Sequence, residues 1–426
     1  MNNLEKFGNQ KNKKVRNIMK NIIVGQSGGP TAVINSSVAG VYKKAKELGI
    51  ENIYGMVHGI EGFLEENIIN LDKYLNTKEN YELLKRTPSA FLGSCRYKLP
   101  SFEKDPDTYK KIFEILEKYE IDGLFYIGGN DSMDTIKMLS DYAKKYNKPQ
   151  KFIGIPKTID NDLPITDHCP GYGSAAKYIA TSIKEIIRDN SSFGVKKPTI
   201  CIVEIMGRHA GWLTAAAALA KGDDCEGVDA IYLPEIDFDL NDFITKVKKL
   251  SQEKSSVVIA VSEGVKTSDG KFVCELNDSD RKVDAFGHKQ LSGCATTLAD
   301  IIAKETGLKT RAIEFSTLQR AATHLASLTD IKEAEKVGME AVKAACKGKT
   351  GMMITIERKT TTPYKVKTSI YDIHNIANIE KKVPTEWIDI KNNQMKQEFI
   401  DYASPLIYGE LTPIFKNGLP QHLTRK

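Results

Sequence analysis

The sequence predicts an α/β protein built as two doubly wound parallel-sheet αβα domains facing a shared cleft. Three observations carry this reading. Short apolar, β-rich runs alternate with helix-period segments over most of the 426 residues. The runs are too numerous for one ordinary doubly wound unit. Polar, glycine-rich clusters follow many of them, at the carboxyl strand ends where open parallel sheets bind ligands.

In chain order the strand candidates are 21–25, 53–57, 124–127, 152–155, 200–205, 230–233, 257–262, 311–315 and 352–356. Each is a short run rich in Ile, Val, Phe or Tyr, the composition of a strand buried on both faces. The helix candidates 36–48, 133–146, 175–188, 213–221 and 293–304 carry Ala, Leu, Lys and Glu with a period near 3.6. No solenoid repeat and no Pro/Gly/Ser-rich linker marks a domain boundary. From about residue 364 the chain is weakly periodic and punctuated by Pro384, Pro405, Pro413 and Pro420. It reads as a C-terminal extension packed on the second domain.

Composition narrows the function class. Lys and Arg total 61 against 55 Asp and Glu, a net charge of +6. That mild bias does not suggest a nucleic-acid partner and suits a small anionic substrate. The seven cysteines are scattered, with no C-x-x-C pair, as expected of reduced thiols in a cytoplasmic protein. No run approaches the length of a membrane span, and the polar, basic first residues precede an apolar run too short for a secretory signal. The expectation is a soluble cytoplasmic protein with no membrane partner and a short basic arm at residues 1–19.

Five clusters carry the chemistry. GQSGGPTAVIN (25–35) follows a strand and opens a helix. Its Gly25, Gly28 and Gly29 permit tight backbone turns, and free N–H groups at a helix start suit a phosphate. The loop also reads as a plain turn, since it matches neither a P-loop nor a dinucleotide fingerprint. GGNDS (128–132) repeats the arrangement: Asp131 or Ser132 would cap the helix, and Gly129 would admit a phosphate. Asp131 or its neighbours would also suit Mg²⁺, which prefers oxygen ligands. In PKTIDND (156–162), Pro156 ends the strand, Lys157 can aim a compact charge at a phosphoryl oxygen, and Asp160 and Asp162 stand two apart. That spacing lets one carboxylate face a hydroxyl proton while the other holds substrate or metal. MGRHAGW (206–212) sets Arg208 beside Gly207 in a strand-to-helix turn, as a bidentate phosphate ligand. Glu263, in VSEG, could accept bonds from sugar hydroxyls, and Arg311 and Arg320 bracket TRAIEFSTLQR. His168 and His209 lack zinc-ligand spacing, and no G-x-S-x-G elbow is present.

Taken in order, GGPTAVIN, GSCR (93–96), GGNDS, PKTIDND, MGRHAG, LPE (233–235), SEG and TRAIEFSTLQR give a chain that resembles the 6-phosphofructokinases. Within that family it resembles the pyrophosphate-dependent branch. ATP-using members have GGDGS and PGTIDND, with glycines where adenosine and its α-phosphate pass; here those two positions are Asp131 and Lys157. The resemblance implies reversible, Mg²⁺-dependent phosphorylation of fructose 6-phosphate to fructose 1,6-bisphosphate by pyrophosphate. Alternatives are the same reaction with ATP, or a non-catalytic subunit that senses sugar phosphates. It also implies Asp160 as general base toward the sugar hydroxyl, Asp162 as its assistant and Thr158 as a hydroxyl donor to the moving phosphoryl group. Gly25, Gly28, Gly29, Arg96, Gly129, Asp131 and Lys157 would contact the donor. Thr158, Asp160, Met206, Gly207, Arg208, Glu263, Arg311 and Arg320 would hold fructose 6-phosphate. By the same resemblance residues 20–172 and about 320–370 form the donor domain and 173–319 the sugar-phosphate domain. The extension begins at about residue 371, and the chain is a homodimer or homotetramer.

Three positions depart from the family pattern. Asn130 stands where the metal-binding aspartate is expected, which leaves Asp131 or Asn130 as the implied Mg²⁺ ligand. Thr317 replaces a histidine that many bacterial ATP-dependent members direct at the sugar phosphate. Thr199 matches an arginine those enzymes reach across from a neighbouring subunit, with Lys197 close by as a substitute.

Overall fold

Eleven strands make two sheets in a computed structural model that describes residues 19–193, 197–276 and 293–425. The basic arm, apart from Met19, lies outside the described residues. The strands are β1 (Asn21–Gln26), β2 (Asn52–Met56), β3 (Ile68–Asn70), β4 (Ile121–Gly128), β5 (Lys151–Pro156), β6 (Thr199–Ile205), β7 (Ala230–Tyr232), β8 (Ser256–Ser262), β9 (Lys309–Glu314), β10 (Met352–Thr360) and β11 (Lys365–Asp372). The larger sheet runs β11-β10-β5-β4-β1-β2-β3 and the smaller β7-β8-β6-β9.

The smaller sheet is wholly parallel. The larger one is mixed: its five central strands are parallel, and β3 and β11 pair antiparallel at its two edges. The fold class is the one expected, with two antiparallel edge strands that the sequence reading did not include. The two edge strands escaped notice for physical reasons. Three residues give β3 no readable period, and β11 alternates polar and apolar side chains along an exposed edge, so neither presents an apolar run.

Strand alternation explains why both faces are covered. In β1, Ile22 and Val24 enter one core together with Phe125, Ile127, Ile153 and Ile155, whereas Ile23 enters another with Leu124, Tyr126 and Phe152. Helices α1 (Ile34–Leu48) and α7 (Leu328–Cys346) close the first face, and α2 (Pro106–Lys118) and α3 (Asn130–Lys145) the second. In the smaller sheet Cys201, Val203 and Ile205 pack with α4 (Tyr172–Ser191). Ile200 and Ile202 pack on the opposite face with α5 (Leu240–Glu253) and α6 (Cys294–Thr306). Each fully buried aliphatic side chain of this kind contributes about 1.5–3 kcal/mol.

One helix contact governs the site below. A Cβ on Gly40 would lie 1.9 Å from the Glu335 carbonyl oxygen, and one on Gly338 would lie 2.2 Å from that of Ser37. Only glycines let α1 and α7 approach so closely. That approach carries the start of α7 under the start of α4. There Asp330 accepts from the backbone N–H groups of Gly171 (2.9 Å) and Ser174 (2.8 Å) and caps a helix whose own N-cap, Gly171, has no side chain. Burial pushes the Asp330 carboxyl up to about 6.

The C-terminal extension does not pack on the second domain alone. Because β11 joins the edge of the larger sheet, the chain leaves from there: Ile373 and Ile376 enter a core of that sheet, and Val383, Ile388, Phe399, Ala403 and Leu406 reach the smaller one. Among the described residues no helix is long and apolar enough to cross a membrane. All seven cysteines are free thiols, six of them buried.

Candidate active site

The end of β1 is organised by two buried amides. Gln26 donates to Asn35 Oδ1 (2.9 Å) and accepts from Leu92 N–H (2.8 Å), while Asn35 donates to the carbonyls of Thr87 and Ser89 and accepts from Phe91 N–H. They staple residues 87–92 beside the glycine loop, which brings the following GSCR stretch against it. Gly28 N–H donates to the Cys95 carbonyl (3.1 Å), and Ser94 Oγ donates to the Gly28 carbonyl (2.6 Å). Arg96 is exposed at the end of this stretch. Gly25 sits inside β1, where a Cβ would meet Met56 Sδ at 2.7 Å and Tyr126 Cε2 at 2.9 Å. Sheet packing alone therefore requires glycine there.

Lys157 joins this loop to the next strand ends. It is buried, its backbone N–H donates to the Gly128 carbonyl (3.0 Å), and its Nζ donates to the Gly29 carbonyl (2.6 Å). A Cβ on Gly28 would lie 3.5 Å from the same Nζ, and one on Gly29 would lie 3.1 Å from an Arg320 guanidinium nitrogen. Gly28, Gly29, Lys157 and Arg320 thus share one place.

At the end of β4 the cap of α3 is Gly129, with no side-chain bond, rather than Asp131 or Ser132. Ser132 is buried against Gly128, and Asp131 lies exposed in the first turn, where the helix dipole favours a negative charge. Asn130 is committed elsewhere: Nδ2 donates to the Ile379 carbonyl (2.8 Å), and Oδ1 accepts from Asn378 N–H (2.9 Å). Its amide oxygen therefore does not fit the implied role of Mg²⁺ ligand. Among the described residues no three His, Cys, Asp or Glu side chains lie close enough to hold a metal by themselves. What fits is a cation brought by phosphate oxygens and met by one or two carboxylates, the usual habit of Mg²⁺. Asp131 is open to solvent, and Asp162 keeps a buried Oδ1 with no hydrogen-bond partner.

The turn after β5 owes its shape to Asn161. This residue has φ +55°, a left-handed conformation that asparagine tolerates better than most. Its side chain donates to Tyr402 Oη (2.8 Å) and accepts from Cys169 N–H (2.9 Å), so the residue between the two aspartates is a pivot rather than a ligand. Asp160 N–H donates to Thr158 Oγ1 (3.1 Å). Burial pushes the Asp160 carboxyl up, against the positive charges of Lys157 and Arg320. Asp162 is pushed up to about 7, by burial and by the nearby Asp160 charge. Lys157 is pushed down to about 8, chiefly by burial and partly offset by the two aspartates. The turn is an assembly of charges taken from water without full compensation.

From the smaller sheet, Gly207 N–H donates to Glu263 Oε1 (3.3 Å), and Ser262 Oγ donates to the Gly207 carbonyl (2.5 Å). Gly207 has φ +148°, and a Cβ there would lie 2.7 Å from the Ala210 carbonyl oxygen. Burial raises Glu263 to about 8, with a further push from Asp160. Burial and the Arg96 charge lower Arg320, while Asp160 and Glu263 act the other way. These mutual effects bring Asp160, Glu263, Arg96 and Arg320 into one electrostatic neighbourhood across the two sheets. Arg208 is partly buried, its guanidinium 5.7 Å from the Phe272 ring centre. Met206 N–H is held by Gln319 Oε1 (3.3 Å).

Arg311 has contacts of its own. It lies on the edge strand β9, bonded to Asp189 (3.3 Å) and stacked 4.5 Å over Phe193. Thr199 is buried and bonded to the Asn190 carbonyl, Lys197 is exposed, and Thr317 opens the short helix that carries Arg320. Motif reading gave no role to four residues that organise the site: Asn161, Gln319, Glu235 and Lys381. Glu235 Oε1 accepts from both Gly211 N–H (2.8 Å) and Val383 N–H (3.0 Å). LPE did single out Glu235, although not for this bond; nothing in the sequence around Lys381 does the same.

Two αβα layers whose strand ends gather glycine loops, a lysine, paired carboxylates and arginines define a phosphoryl-transfer site. The chain belongs to the phosphofructokinase family, whose model matches residues 21–345. More particularly, it is 39% identical to the pyrophosphate–fructose 6-phosphate 1-phosphotransferase of Methylococcus capsulatus, over 95% of this chain and 96% of that one. It is 40% identical to the enzyme of the same name from Xanthomonas campestris, with the same coverage. Among solved structures it resembles the pyrophosphate-dependent phosphofructokinase of Nitrosospira multiformis, with a TM-score of 0.85 and 37% identity over 95% of this chain and 96% of that one.

Proposed function

We infer that the protein transfers a phosphoryl group from pyrophosphate to the 1-hydroxyl of fructose 6-phosphate, reversibly, giving fructose 1,6-bisphosphate and phosphate. The observation that carries this is Lys157. A buried ammonium hydrogen-bonded to a carbonyl of the glycine loop occupies the position where ATP-using relatives need a glycine, and it offers charge to a donor that lacks a nucleoside. The activity for which those relatives are named agrees.

In this reading Asp160 takes the proton of the 1-hydroxyl, whose oxygen attacks the terminal phosphorus while the bridging P–O bond breaks and phosphate leaves. Asp162 steadies the turn, Thr158 offers its hydroxyl to the moving phosphoryl group, and Lys157, Arg96 and the amides around Gly28, Gly29 and Gly129 hold the donor. Transfer of this kind needs alignment and charge neutralisation more than covalent chemistry. Asp131 and Asp162 would meet a Mg²⁺ that accompanies the donor, and the ion would supply neutralising charge. Met206, Gly207, Arg208, Glu263 and Arg320 face the sugar phosphate. Arg311 is left out of that set, since its guanidinium is engaged at Asp189 and Phe193. The larger sheet then serves the donor and the smaller one the acceptor across a shared cleft, in a cytoplasmic homodimer or homotetramer.

A coupled assay with fructose 6-phosphate and Mg²⁺, comparing pyrophosphate with ATP, tests the reading. Turnover with pyrophosphate and little with ATP is expected, and Lys157→Gly should weaken pyrophosphate use far more than sugar-phosphate binding. Turnover with ATP alone would sink it.

A further inference from the structure

Residues 378–383 form a strap along the catalytic turn. At one end Asn130 holds the backbone of Asn378 and Ile379 with both ends of its amide, and Asn378 Nδ2 donates to Asp134 (3.1 Å). In the middle, Lys381 N–H donates to the Asp162 carbonyl (2.7 Å). The Lys381 ammonium reaches the carbonyls of Thr166 (3.1 Å) and Asp167 (2.9 Å) and lies 5.3 Å from the Trp212 ring centre. At the far end Trp212 Nε1 donates to the Lys381 carbonyl (2.9 Å), and Val383 N–H shares Glu235 Oε1 with Gly211 of the MGRHAGW turn. The strap touches the start of α3, the 160–162 turn and the Arg208 turn in succession. A largely buried ammonium held by neutral carbonyls is a costly way to fill space, because an apolar side chain would pack there without the desolvation penalty. Its return is direction: the ammonium fixes two carbonyls, and the backbone N–H of the same residue fixes a third, that of Asp162.

We propose that Asn130 and Lys381 are positioning residues, which tie the 378–383 strap so that the Asp160–Asp162 turn is held in register with the GGNDS segment at the start of α3. This deepens the function inferred above and rests on it. Asn130 thereby has a task other than the metal ligation its position suggests.

The test compares Asn130→Ala, Asn130→Asp and Lys381→Met with the unaltered chain. Asn130→Asp keeps the acceptor for Asn378 N–H and loses the donor to Ile379, so it should sit between the alanine variant and the parent. Small misplacements of reacting groups are costly, so kcat with pyrophosphate should fall about tenfold or more in Asn130→Ala, with KM for fructose 6-phosphate within about twofold. Hydrogen exchange should quicken at the amides of 160–163 and at 381, and Trp212 emission should shift. Unchanged exchange at 160–163 with intact kcat would overturn the proposal. Parallel loss of kcat and sugar-phosphate affinity, with no difference between the Ala and Asp variants, would also overturn it. If Lys381→Met fails to fold, the two half-buried Asn130 variants still decide. A parent chain inactive with pyrophosphate would refute the functional reading instead, and the exchange data would still judge the strap.

Discussion

Lys157, Asp160 and Asp162 are charged groups taken out of water, and so are Asp167 and His168 a few residues on, yet burial leaves the two sets in opposite states. In the first set it wins: the lysine falls to about 8 and Asp162 rises to about 7. In the second it loses. His168 Nδ1 lies 2.7 Å from Asp167 and Nε2 lies 2.6 Å from Glu333, while Arg358 donates to Asp167 and Tyr364 to Glu333 (2.7 Å). Against burial, Glu333 and Asp167 hold the imidazole up at about 9, and His168 and Arg358 hold the Asp167 carboxyl down at about 2. A cluster completed within the chain supports structure. One left short of partners suits the role proposed above, in which an anion arrives between Lys157 and Arg320.

The contrast breaks most sharply at Asp160. Asp160→Asn removes the proposed base without changing size, and kcat should fall by about 10²–10⁴ with sugar-phosphate affinity nearly unchanged, as steady-state kinetics would show. Melting temperature should hold or rise, since a buried charge is lost. Undiminished turnover would move the base elsewhere.

At His168 the expectation reverses. His168→Leu leaves Asp167 and Glu333 facing an apolar group, and stability should drop by about 3–5 kcal/mol in denaturant titrations. A loss below 1 kcal/mol would mean that Arg358 and Tyr364 suffice on their own.

A smaller effect sharpens the comparison further. The folded pKa of His168 is raised from 6.5 to about 9, so its contribution to stability is fully present below about pH 6.5 and is lost as pH rises through about 9. Asp167, lowered from 3.8 to about 2, contributes above pH 3.8 and ceases to as pH falls through about 2. Asp162 acts in the opposite sense, its cost growing between pH 3.8 and about 7. Melting temperature should therefore decline from pH 7 to 9 in the parent chain, and that decline should flatten in His168→Leu. An identical slope in both would remove His168 as its source.

What the sequence made legible was local. Lys157, Asp160, Asp162 and Glu263 stand at strand ends that could be read from short apolar runs followed by polar residues. The nine strands that make the parallel pairings of both sheets were read from the same runs, although their order in the sheets was not. Illegible were features whose cause lies far along the chain. Asn161 matters because Tyr402 waits for its amide, Gln319 because Met206 N–H needs an acceptor, and Lys381 because the catalytic turn passes beneath it. Asn130 read as a failed carboxylate, although its amide fits a backbone segment almost 250 residues distant. Arg311 matched its motif, yet the motif did not show that it would lie on an edge strand and bond Asp189.

The discontinuity of the larger sheet bears on how the chain is made. Residue 156 completes β5, but its neighbour β10 begins at residue 352, after every strand of the smaller sheet has been synthesised. During translation the emerging β5 therefore presents a bare edge, and the smaller sheet has its full complement of strands before the larger one can close. The last two strands and α7 act as the clasp that finishes the domain begun first.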